Sequence, residues 1–260
     1  MPTTVNDLFR NANVLRSGAV RWGTPVPLEK PGVYVIATTE DPQQHTGLVE
    51  CPIDEHSVDQ LIRVRPEILI DNAAADAARL TLRLRALWPA SESVVYIGKA
   101  GTDTSRRVKQ FYDTRIGARA PHAGGWPVKM LDTRRLWVHY GATARPGDAE
   151  AAMIALFAEA VPLEVRRALV DPSAPLPYAN LEYPAGRRKA HGIRGAKELR
   201  RKPAPPPRPA PVPAAGYFDR SEAAESIAFA AAFGGHVPKK DHGTCPDCFT
   251  QFTPTGTCAC

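Results

Sequence analysis

Two tyrosines, an arginine and a glutamate stand out in this 260-residue chain because their side chains could act together on a phosphate ester. Tyr34 and Tyr96 each occur close to a glycine, in the short apolar segments GVYVIAT and VVYIGKA. Arg107 follows in a stretch with helical character, and Glu150 opens another. Hydrolysis of a phosphodiester needs a positioned water, charge neutralisation on the phosphate and help for the departing oxygen. Phenols, a guanidinium and a carboxylate meet those needs together.

Glu150 is the candidate metal ligand. On a helix it shares one face with Ile154 and Phe157, so its carboxylate lies at the rim of an apolar stripe. Mg²⁺ prefers oxygen ligands and keeps several waters, so one carboxylate can hold Mg²⁺ (or Mn²⁺) when the phosphate supplies another ligand. The alternative is a glutamate favoured near a helix N-terminus by the macrodipole alone.

A guanidinium matches phosphate oxygens geometrically and stays charged at any working pH, so Arg107 is expected to bind the scissile phosphate. Arg106 is its neighbour and its rival for that contact. Gly98 would let a nucleic-acid backbone approach closely, and Lys99 is a further candidate phosphate contact. We therefore expect Gly98, Lys99 and Arg106 to bind substrate.

The two tyrosines are expected side by side on adjacent strands, one orienting or deprotonating the water and the other positioning the phosphate. A free phenol has a pKa near ~10, so a basic role needs help from a metal or a cation. The structural alternative is that Tyr34 and Tyr96 are amphipathic strand residues with their rings in the core.

The motifs GVY, YIGKAG, RRVKQFY and LPYANLEYP, together with Glu150, resemble the GIY-YIG nuclease superfamily over about residues 30–190. The resemblance implies an endonuclease of restriction, defence, mobile-element or repair type that cuts DNA with one divalent metal. The phrase LPYANLEYP is similar to that of bacterial members. It also implies that Arg107, which precedes a small apolar residue, binds the phosphate, and that Asn180 has a role at the site. The Asn180 amide would anchor active-site loops, although asparagine is also common in turns next to proline.

The general base is left open by the sequence. Members of the superfamily carry a histidine or tyrosine one helical turn after the arginine, where this chain has Phe111. Tyr112 follows directly and could substitute if the helix were slightly rotated. His122, in the glycine-rich PHAGGW segment, is the other candidate, against the alternative that it is an ordinary surface histidine.

The elements that must position these residues indicate an α/β (α+β) fold. Strands are predicted at 33–38, 94–97 and 135–141, forming a small three-stranded, mostly antiparallel sheet flanked by helices. Asp103 and its threonine neighbours can cap the helix that carries Arg107, and Asp148 can cap the helix that carries Glu150.

A helical insertion is predicted between the first two strands, at about residues 40–92. Leu80, Leu84, Leu87 and Trp88 recur there at helical spacing, Asp71 or Asn72 can cap the helix, and Pro89 ends it. Arg79 and Arg83 share one face. They indicate either a solvated flank, which we favour, or a substrate-recognition element.

The domain organisation follows from composition. Residues 1–29 form an N-terminal extension, 30–190 the nuclease-like domain, 191–216 a basic and proline-rich linker, and 217–260 a short helix with a cysteine-rich tail. Residues 187–202 hold eight Lys and Arg against one acid. That segment either tracks nucleic-acid phosphates or is a charged tail before a flexible spacer.

The tail carries a predicted zinc site. Its ligands would be two cysteine pairs, C-x-x-C and C-x-C, namely Cys245, Cys248, Cys258 and Cys260. Thiolates paired on tight turns suit tetrahedral Zn²⁺, whose binding would supply the folding energy of so small a unit. His236 or His242 could replace one cysteine. Such a zinc knuckle binds nucleic acid or a protein partner.

The bulk properties agree with a polyanionic partner without proving one. Lys and Arg number 33 against 27 Asp and Glu, for a net charge of +6. The chain has neither an apolar run that would span a membrane nor a secretory leader, so we expect a cytoplasmic protein. DNA is the expected substrate and RNA the alternative. The second hypothesis for function is an inactive nucleic-acid-binding or scaffolding module whose zinc tail recruits a partner.

Overall fold

A computed structural model of the chain describes residues 2–122 and 124–198. The strands are β1 Gly18–Arg21, β2 Gly32–Ala37, β3 Leu69–Ile70, β4 Ala73–Ala74, β5 Val94–Ala100, β6 Trp137–Ala142 and β7 Ile193–Arg194. The helices are α1 Val5–Asn11, α2 Glu55–Val64, α3 Ala77–Arg85, α4 Thr104–Asp113, α5 Pro146–Ala160 and α6 Leu163–Ala168, with short 3₁₀ turns at Trp126–Met130 and Thr133–Arg135. The predicted α/β class is confirmed.

The main sheet has four antiparallel strands in the order β1-β6-β2-β5. Three of them are the predicted strands. The fourth, β1, comes from the predicted N-terminal extension and pairs with β6. The extension also contributes α1, which packs on α5. Residues 1–29 therefore supply an edge of the sheet and a layer of the core, so the main sheet has one strand more than the three that were predicted.

Strand β2 lies at the centre of the fold, and all six of its residues are buried. Tyr34 and Ile36 face an apolar cluster that includes α3, α4 and β6, whereas Val33 and Val35 face a second cluster with α1 and α5. This alternation is the two-residue period of a strand covered on both faces. Burying each such apolar side chain contributes ~1.5–3 kcal/mol, so β2 is a rigid base for Tyr34.

The insertion between β2 and β5 contains α2, β3, β4 and α3. The predicted helix is present, and its predicted apolar residues are buried, namely Leu80, Leu84, Leu87 and Trp88. Its cap is Asp76, which accepts a hydrogen bond from the backbone N–H of Arg79. Asp71 and Asn72, the predicted caps, instead have positive φ angles of 49° and 65° in the turn between β3 and β4. Asparagine and aspartate tolerate that left-handed conformation better than other side chains do.

Arg79 and Arg83 hold this insertion together. Arg83 pairs with the carboxylate of Asp71 and donates to the carbonyl of His191, at 3.0 Å. Arg79 donates to the carbonyl of Ala74, at 3.2 Å. Arg79 stays exposed, as the predicted solvated flank requires, whereas Arg83 is drawn toward neighbouring turns and is 18% exposed.

Helices α4 and α5, which carry Arg107 and Glu150, begin in different ways. Asp103 caps α4 as predicted, accepting from the backbone N–H of Arg106. Helix α5 begins at Pro146, with no side-chain cap, so Asp148 lies in its first turn and does not cap it. Proline at the first position sets the helical φ angle and needs no hydrogen-bond donor there, which explains the earlier start.

The folded domain continues past the predicted boundary at residue 190. Strand β7 pairs with β3, and Arg65 donates to the backbone carbonyls of Gly195 and Lys197, both at 3.1 Å. Residues 187–198 are thus part of the domain. The rest of the predicted linker, the short helix and the four zinc-site cysteines lie outside the described residues. Within the described ranges, no helix is both long and apolar enough to cross a bilayer.

Candidate active site

The two tyrosines lie side by side over one glycine. Tyr34 on β2 is directly opposite Gly98 on β5, and the rings of Tyr34 and Tyr96 are 6.0 Å apart between centroids. A Cβ atom at Gly98 would lie 2.6 Å from Cζ of Tyr34 and 2.7 Å from Cε1 of Tyr96. Real Cβ atoms do not come that close to other atoms. Gly98 therefore makes room for the two rings, which differs from the expected role of opening the strand to substrate.

His122 fixes the hydroxyl of Tyr34. The Tyr34 Oη lies 3.1 Å from Nε2 of His122, and Nδ1 of the same ring lies 3.0 Å from the carbonyl oxygen of Gly124. A carbonyl only accepts, so Nδ1 carries the proton and Nε2 accepts from the Tyr34 hydroxyl. Burial, followed by the nearby charge of Arg107, lowers the pKa of His122 to about 4. The imidazole is therefore neutral near pH 7 and able to accept a proton.

Phe111 is the platform for His122. The two rings stack with centroids 4.2 Å apart and planes 3° from parallel, and the Phe111 ring meets Tyr96 edge-on at 5.5 Å. Phe111 occupies the position one turn after Arg107 where the resemblance leads one to expect a histidine or tyrosine. His122, eleven residues further along the chain, thus stacks on the side chain that occupies this position.

Tyr112 is not brought into this group. Its hydroxyl donates to the carbonyl of Thr24, at 3.2 Å, and its ring packs edge-on against Trp22, at 4.8 Å. Of the two candidates that the sequence left open for the general base, the structure places only His122 beside the paired tyrosines.

Both tyrosines are held protonated. Burial raises the pKa of Tyr34 well above its usual range, with the neighbouring ionisable hydroxyl of Tyr96 as the second cause. Burial also raises the pKa of Tyr96 to about 12, and the negative charge of Glu150 adds to that rise. Tyr34 is 1% exposed, whereas Tyr96 borders the groove described below. A free phenolate at neutral pH is therefore unfavourable for either ring.

Arg107 is the cation whose charge acts on both tyrosines. Its charge opposes the rise in the pKa of Tyr34 and of Tyr96. Its side chain is half-buried, and Nη1 lies 3.5 Å from Oε1 of Gln110. Arg106 is exposed and lines a groove of about 540 Å³ together with Lys99 and Arg107. The structure therefore keeps Arg107 at the centre and Arg106 at its margin.

Glu150 lies in a second groove, of about 290 Å³, which Tyr96 and Asn180 also line. The Glu150 side chain is 14% exposed, and Oε2 lies 2.9 Å from Nζ of Lys99. The ammonium of Lys99 belongs to the cationic groove beside Arg106 and Arg107. The ion pair therefore joins the acidic and the cationic sides of the site.

The donor set of this groove fits a hard divalent cation. The Glu150 carboxylate lines a groove that is open to solvent. Mg²⁺ and Mn²⁺ bind carboxylate oxygens and keep several of their own waters. In the described part of the chain no three His, Cys, Asp or Glu side chains come together. Glu150 would thus hold such an ion with water and substrate oxygens as the other ligands.

Asn180 anchors the strand that carries Tyr96. Its buried Oδ1 accepts from the backbone N–H of Ile97 at 2.9 Å, and Nδ2 donates to the carbonyl of Ile97 at 2.8 Å. Strand β5 is an edge strand, so its outer backbone groups need partners. Asn180 bonds to both the N–H and the carbonyl of Ile97 and so fixes the backbone next to Tyr96. The amide thus bonds to an edge strand, whereas the resemblance led us to expect bonds to loops.

Lys189 was missed by the sequence analysis. It is buried, and Nζ donates to the carbonyls of Leu176 and Pro177, at 3.3 and 3.1 Å, which stiffens the loop that leads to Asn180. Burial lowers its pKa to about 7. Because its neighbours in the sequence are arginines, no local signal separates this buried lysine from the exposed basic surface around it.

No protein-family model, curated protein or solved structure matches this chain. The functional proposal therefore depends on the geometry of the site together with the resemblance of its motifs.

Proposed function

We propose that the protein is a metal-dependent endonuclease that hydrolyses DNA phosphodiester bonds. The observation that carries the proposal is convergence. Tyr96 and Glu150 line one groove, and Arg107 lines the groove on the other side of the Lys99–Glu150 ion pair. Tyr34 and His122 are buried behind Tyr96, joined to each other by a hydrogen bond. Buried titratable groups with shifted pKa values, gathered beside an open groove, are typical of catalytic sites.

Tyr96 faces the groove and positions the attacking water, while Tyr34 lies behind it against His122. As the water oxygen forms its bond to phosphorus and the bond to the leaving oxygen breaks, the water proton passes to the Tyr96 oxygen and the Tyr96 hydroxyl proton passes to the Tyr34 oxygen. The leaving oxygen takes a proton from solvent. The Tyr34 hydroxyl proton moves to Nε2 of His122. This relay avoids a free phenolate, which the raised pKa values of both tyrosines make unfavourable.

Arg107 binds the scissile phosphate and stabilises its negative charge in the transition state. Its positive charge is also the second cause of the low pKa of His122. A bound phosphate would neutralise that charge, so the imidazole would become more basic when substrate is present. The basicity of His122 is in this way coupled to the occupation of the site by a phosphodiester.

Glu150 holds the metal ion in this proposal. A bound Mg²⁺ would polarise the phosphate and stabilise the departing oxygen. Lys99 must release the Glu150 carboxylate when the ion binds. Because the Lys99 side chain is 47% exposed, it can turn toward the substrate phosphate in the groove that it shares with Arg106.

The resemblance to the GIY-YIG nucleases supports DNA as the substrate, in a restriction, defence, mobile-element or repair context, and RNA is the alternative. The antiparallel sheet with paired tyrosines agrees with that resemblance. The Zn²⁺ site predicted for the cysteine tail, its protein partner and a cytoplasmic location stay predictions.

The experiment is a nicking assay with supercoiled plasmid and purified protein in Mg²⁺ or Mn²⁺. Wild-type protein should nick the plasmid, and Glu150→Ala should abolish nicking while binding DNA as well as wild type. Glu159→Ala, on the same helix and further from its N-terminus, is the matched control and should cut normally. Undiminished cutting by Glu150→Ala would disprove the site assignment.

The ion pair between Lys99 and Glu150 favours a second candidate, a nucleic-acid-binding module without hydrolytic activity. A carboxylate already paired with a lysine is less available to a metal ion. In the same assay this candidate predicts a shift of the plasmid on the gel without any nicking at any Mg²⁺ or Mn²⁺ concentration.

A further inference from the structure

A third groove adjoins the candidate active site. It has a volume of about 390 Å³ and is formed by the segment 188–198 together with Arg119 and Trp126. Leu181, Glu182 and Lys197 line both this groove and the one that contains Glu150. The two grooves are therefore continuous along the surface. We call this third groove the basic trough.

Cations dominate the basic trough. Arg119 and Arg194 are exposed and Lys197 is half-buried, and among the described residues none of the three has an ion-pair partner within 4.0 Å. Arg188 is paired with Glu182, at 3.3 Å. Burial and then the charges of Arg119 and Arg188 lower the pKa of Lys197, while the charge of Glu182 opposes that shift.

The trough is built into the fold. Strand β7, which contains Arg194, pairs with β3, and Arg65 holds the carbonyls of Gly195 and Lys197. The backbone N–H of Glu198 donates to the carbonyl of Gly117, two residues before Arg119. Glu182 and Glu198 also line the trough, but Glu182 is paired with Arg188, and the cations outnumber the two carboxylates. Like charges fixed near one another cost free energy, so an anionic partner would lower that cost.

We propose that the basic trough binds the phosphodiester backbone of the DNA substrate to one side of the bond that is cut. The inference rests on the proposed function for the nature of the substrate. The Lys99–Glu150 ion pair joins the groove of Arg107 to the groove of Glu150, so a duplex whose phosphate lies beside Arg107 would pass the groove of Glu150 on one side. From there the continuous surface leads its backbone toward Lys197, Arg119 and Arg194. Arginine forks match phosphate oxygens, and these contacts give affinity that is independent of sequence.

The test measures binding without cutting. Fluorescence anisotropy with a fluorescein-labelled DNA duplex, without added Mg²⁺ or Mn²⁺, gives the dissociation constant across a salt series for wild type and for the triple variant Arg119→Gln, Arg194→Gln, Lys197→Gln. Each lost phosphate contact reduces the slope of log K against log salt by ~0.9, so the slope should fall by about 2 to 3. The affinity near physiological salt should fall at least tenfold.

A matched triple variant controls for overall charge. Arg10→Gln, Arg135→Gln and Arg167→Gln remove the same charge from exposed arginines that do not line the three grooves described above. This control should lose less than half the slope that the trough variant loses. Circular dichroism shows whether both variants fold, and if the trough triple variant does not fold, Arg119→Gln and Arg194→Gln serve singly.

The outcomes separate the two proposals. Three results would overturn the proposal that the trough binds DNA. The two triple variants could lose the same amount of salt dependence, or the trough variant could keep the wild-type slope. The trough could also bind polyglutamate in place of DNA. Cleavage of plasmid by wild type in Mg²⁺ is read separately and decides the proposed function. A protein that binds DNA through the trough but never cuts would retain the trough and lose the endonuclease proposal.

Discussion

The hydroxyl of Tyr34 donates a hydrogen bond to Nε2 of His122, 3.1 Å away, across 88 residues of sequence. The carbonyl of Gly124 holds the other ring nitrogen and so sets the tautomer. A phenol and a neutral imidazole are thus joined in a fixed direction, with the imidazole as acceptor. Stacking on Phe111 keeps the imidazole in that orientation.

His122→Gln should reduce kcat by ~10²–10⁴-fold, the usual contribution of a positioned general base, because a glutamine cannot take up the Tyr34 proton. Plasmid nicking and single-turnover cleavage of an oligonucleotide measure the effect. His56→Gln, at an exposed position on α2, should cut like wild type. A loss below threefold for His122→Gln would remove His122 from the mechanism.

The pH profile gives a second readout of the same group. The relay needs the neutral imidazole, and burial holds its pKa at about 4 in the free protein. The value of kcat/KM should therefore persist as the pH falls below the usual histidine pKa of ~6.5 and decline near pH 4. An acid limb centred near the ordinary histidine value would show that His122 is not the group that titrates.

Gly98→Ala should destabilise the protein and inactivate it, because the added methyl group collides with the rings of Tyr34 and Tyr96. Overpacking of this kind costs ~1–3 kcal/mol of unfolding free energy. Urea denaturation measures the cost. Gly101→Ala is the matched control in the same segment, since no atom lies within 4 Å of a Cβ at that position. Equal stability of the two variants would contradict the close contact of the rings with Gly98.

Lys99→Gln should separate metal binding from substrate binding. Removal of the ammonium frees Glu150, so half-maximal activity should need about two- to fivefold less Mn²⁺, in keeping with an ion pair worth less than ~1 kcal/mol. The KM for DNA should rise, because a phosphate contact is lost. Steady-state cleavage at varied Mn²⁺ and varied DNA gives both quantities. Lys109→Gln, an exposed lysine on α4, is the control, and a higher Mn²⁺ requirement in Lys99→Gln would contradict the competition.

Acid should destabilise the fold through its buried histidines. Burial lowers the pKa of His122, His139 and His191 to about 4 each. The unfolded chain takes up protons on these groups below ~6.5 and the native state does not, so stability falls as the pH drops from ~6.5 toward about 4. Glu92 works in the opposite direction, since burial raises its pKa to about 7 and its carboxyl favours the native state at low pH.

Urea denaturation at pH 7 and pH 4.5 measures this dependence. His139→Gln should lessen the loss of stability at acid pH, since the buried imidazole that donates to the carbonyl of Thr39 no longer titrates. His45→Gln, at an exposed position, should leave the pH dependence unchanged. A wild-type stability that is flat or higher at pH 4.5 would contradict the neutral state of the three histidines.

Sequence alone determined the features that depend on neighbouring residues. Local alternation and glycine placement predict the strands of Tyr34 and Tyr96. Capping chemistry predicts the cap at Asp103, and the helical period predicts the apolar face of α3. Convergence of the tyrosines with Glu150 and Arg107 was predicted from a resemblance of motifs, since these residues are too far apart in the chain for local patterns to relate them.

Other features of the site and the fold depend on contacts between distant segments, and only the tertiary structure determines them. Tyr112 and His122 were both candidates in the sequence, and only the structure shows that His122 bonds to Tyr34, a residue 88 positions away. Lys189 has a sequence context like that of exposed Arg188, yet the loop that packs over it buries it against two carbonyls. Asp71 could have capped a helix, but pairing of β3 with β4 and with β7 requires a turn there. Each outcome depends on contacts between distant segments, whose free energies outweigh the weak local preferences of single residues.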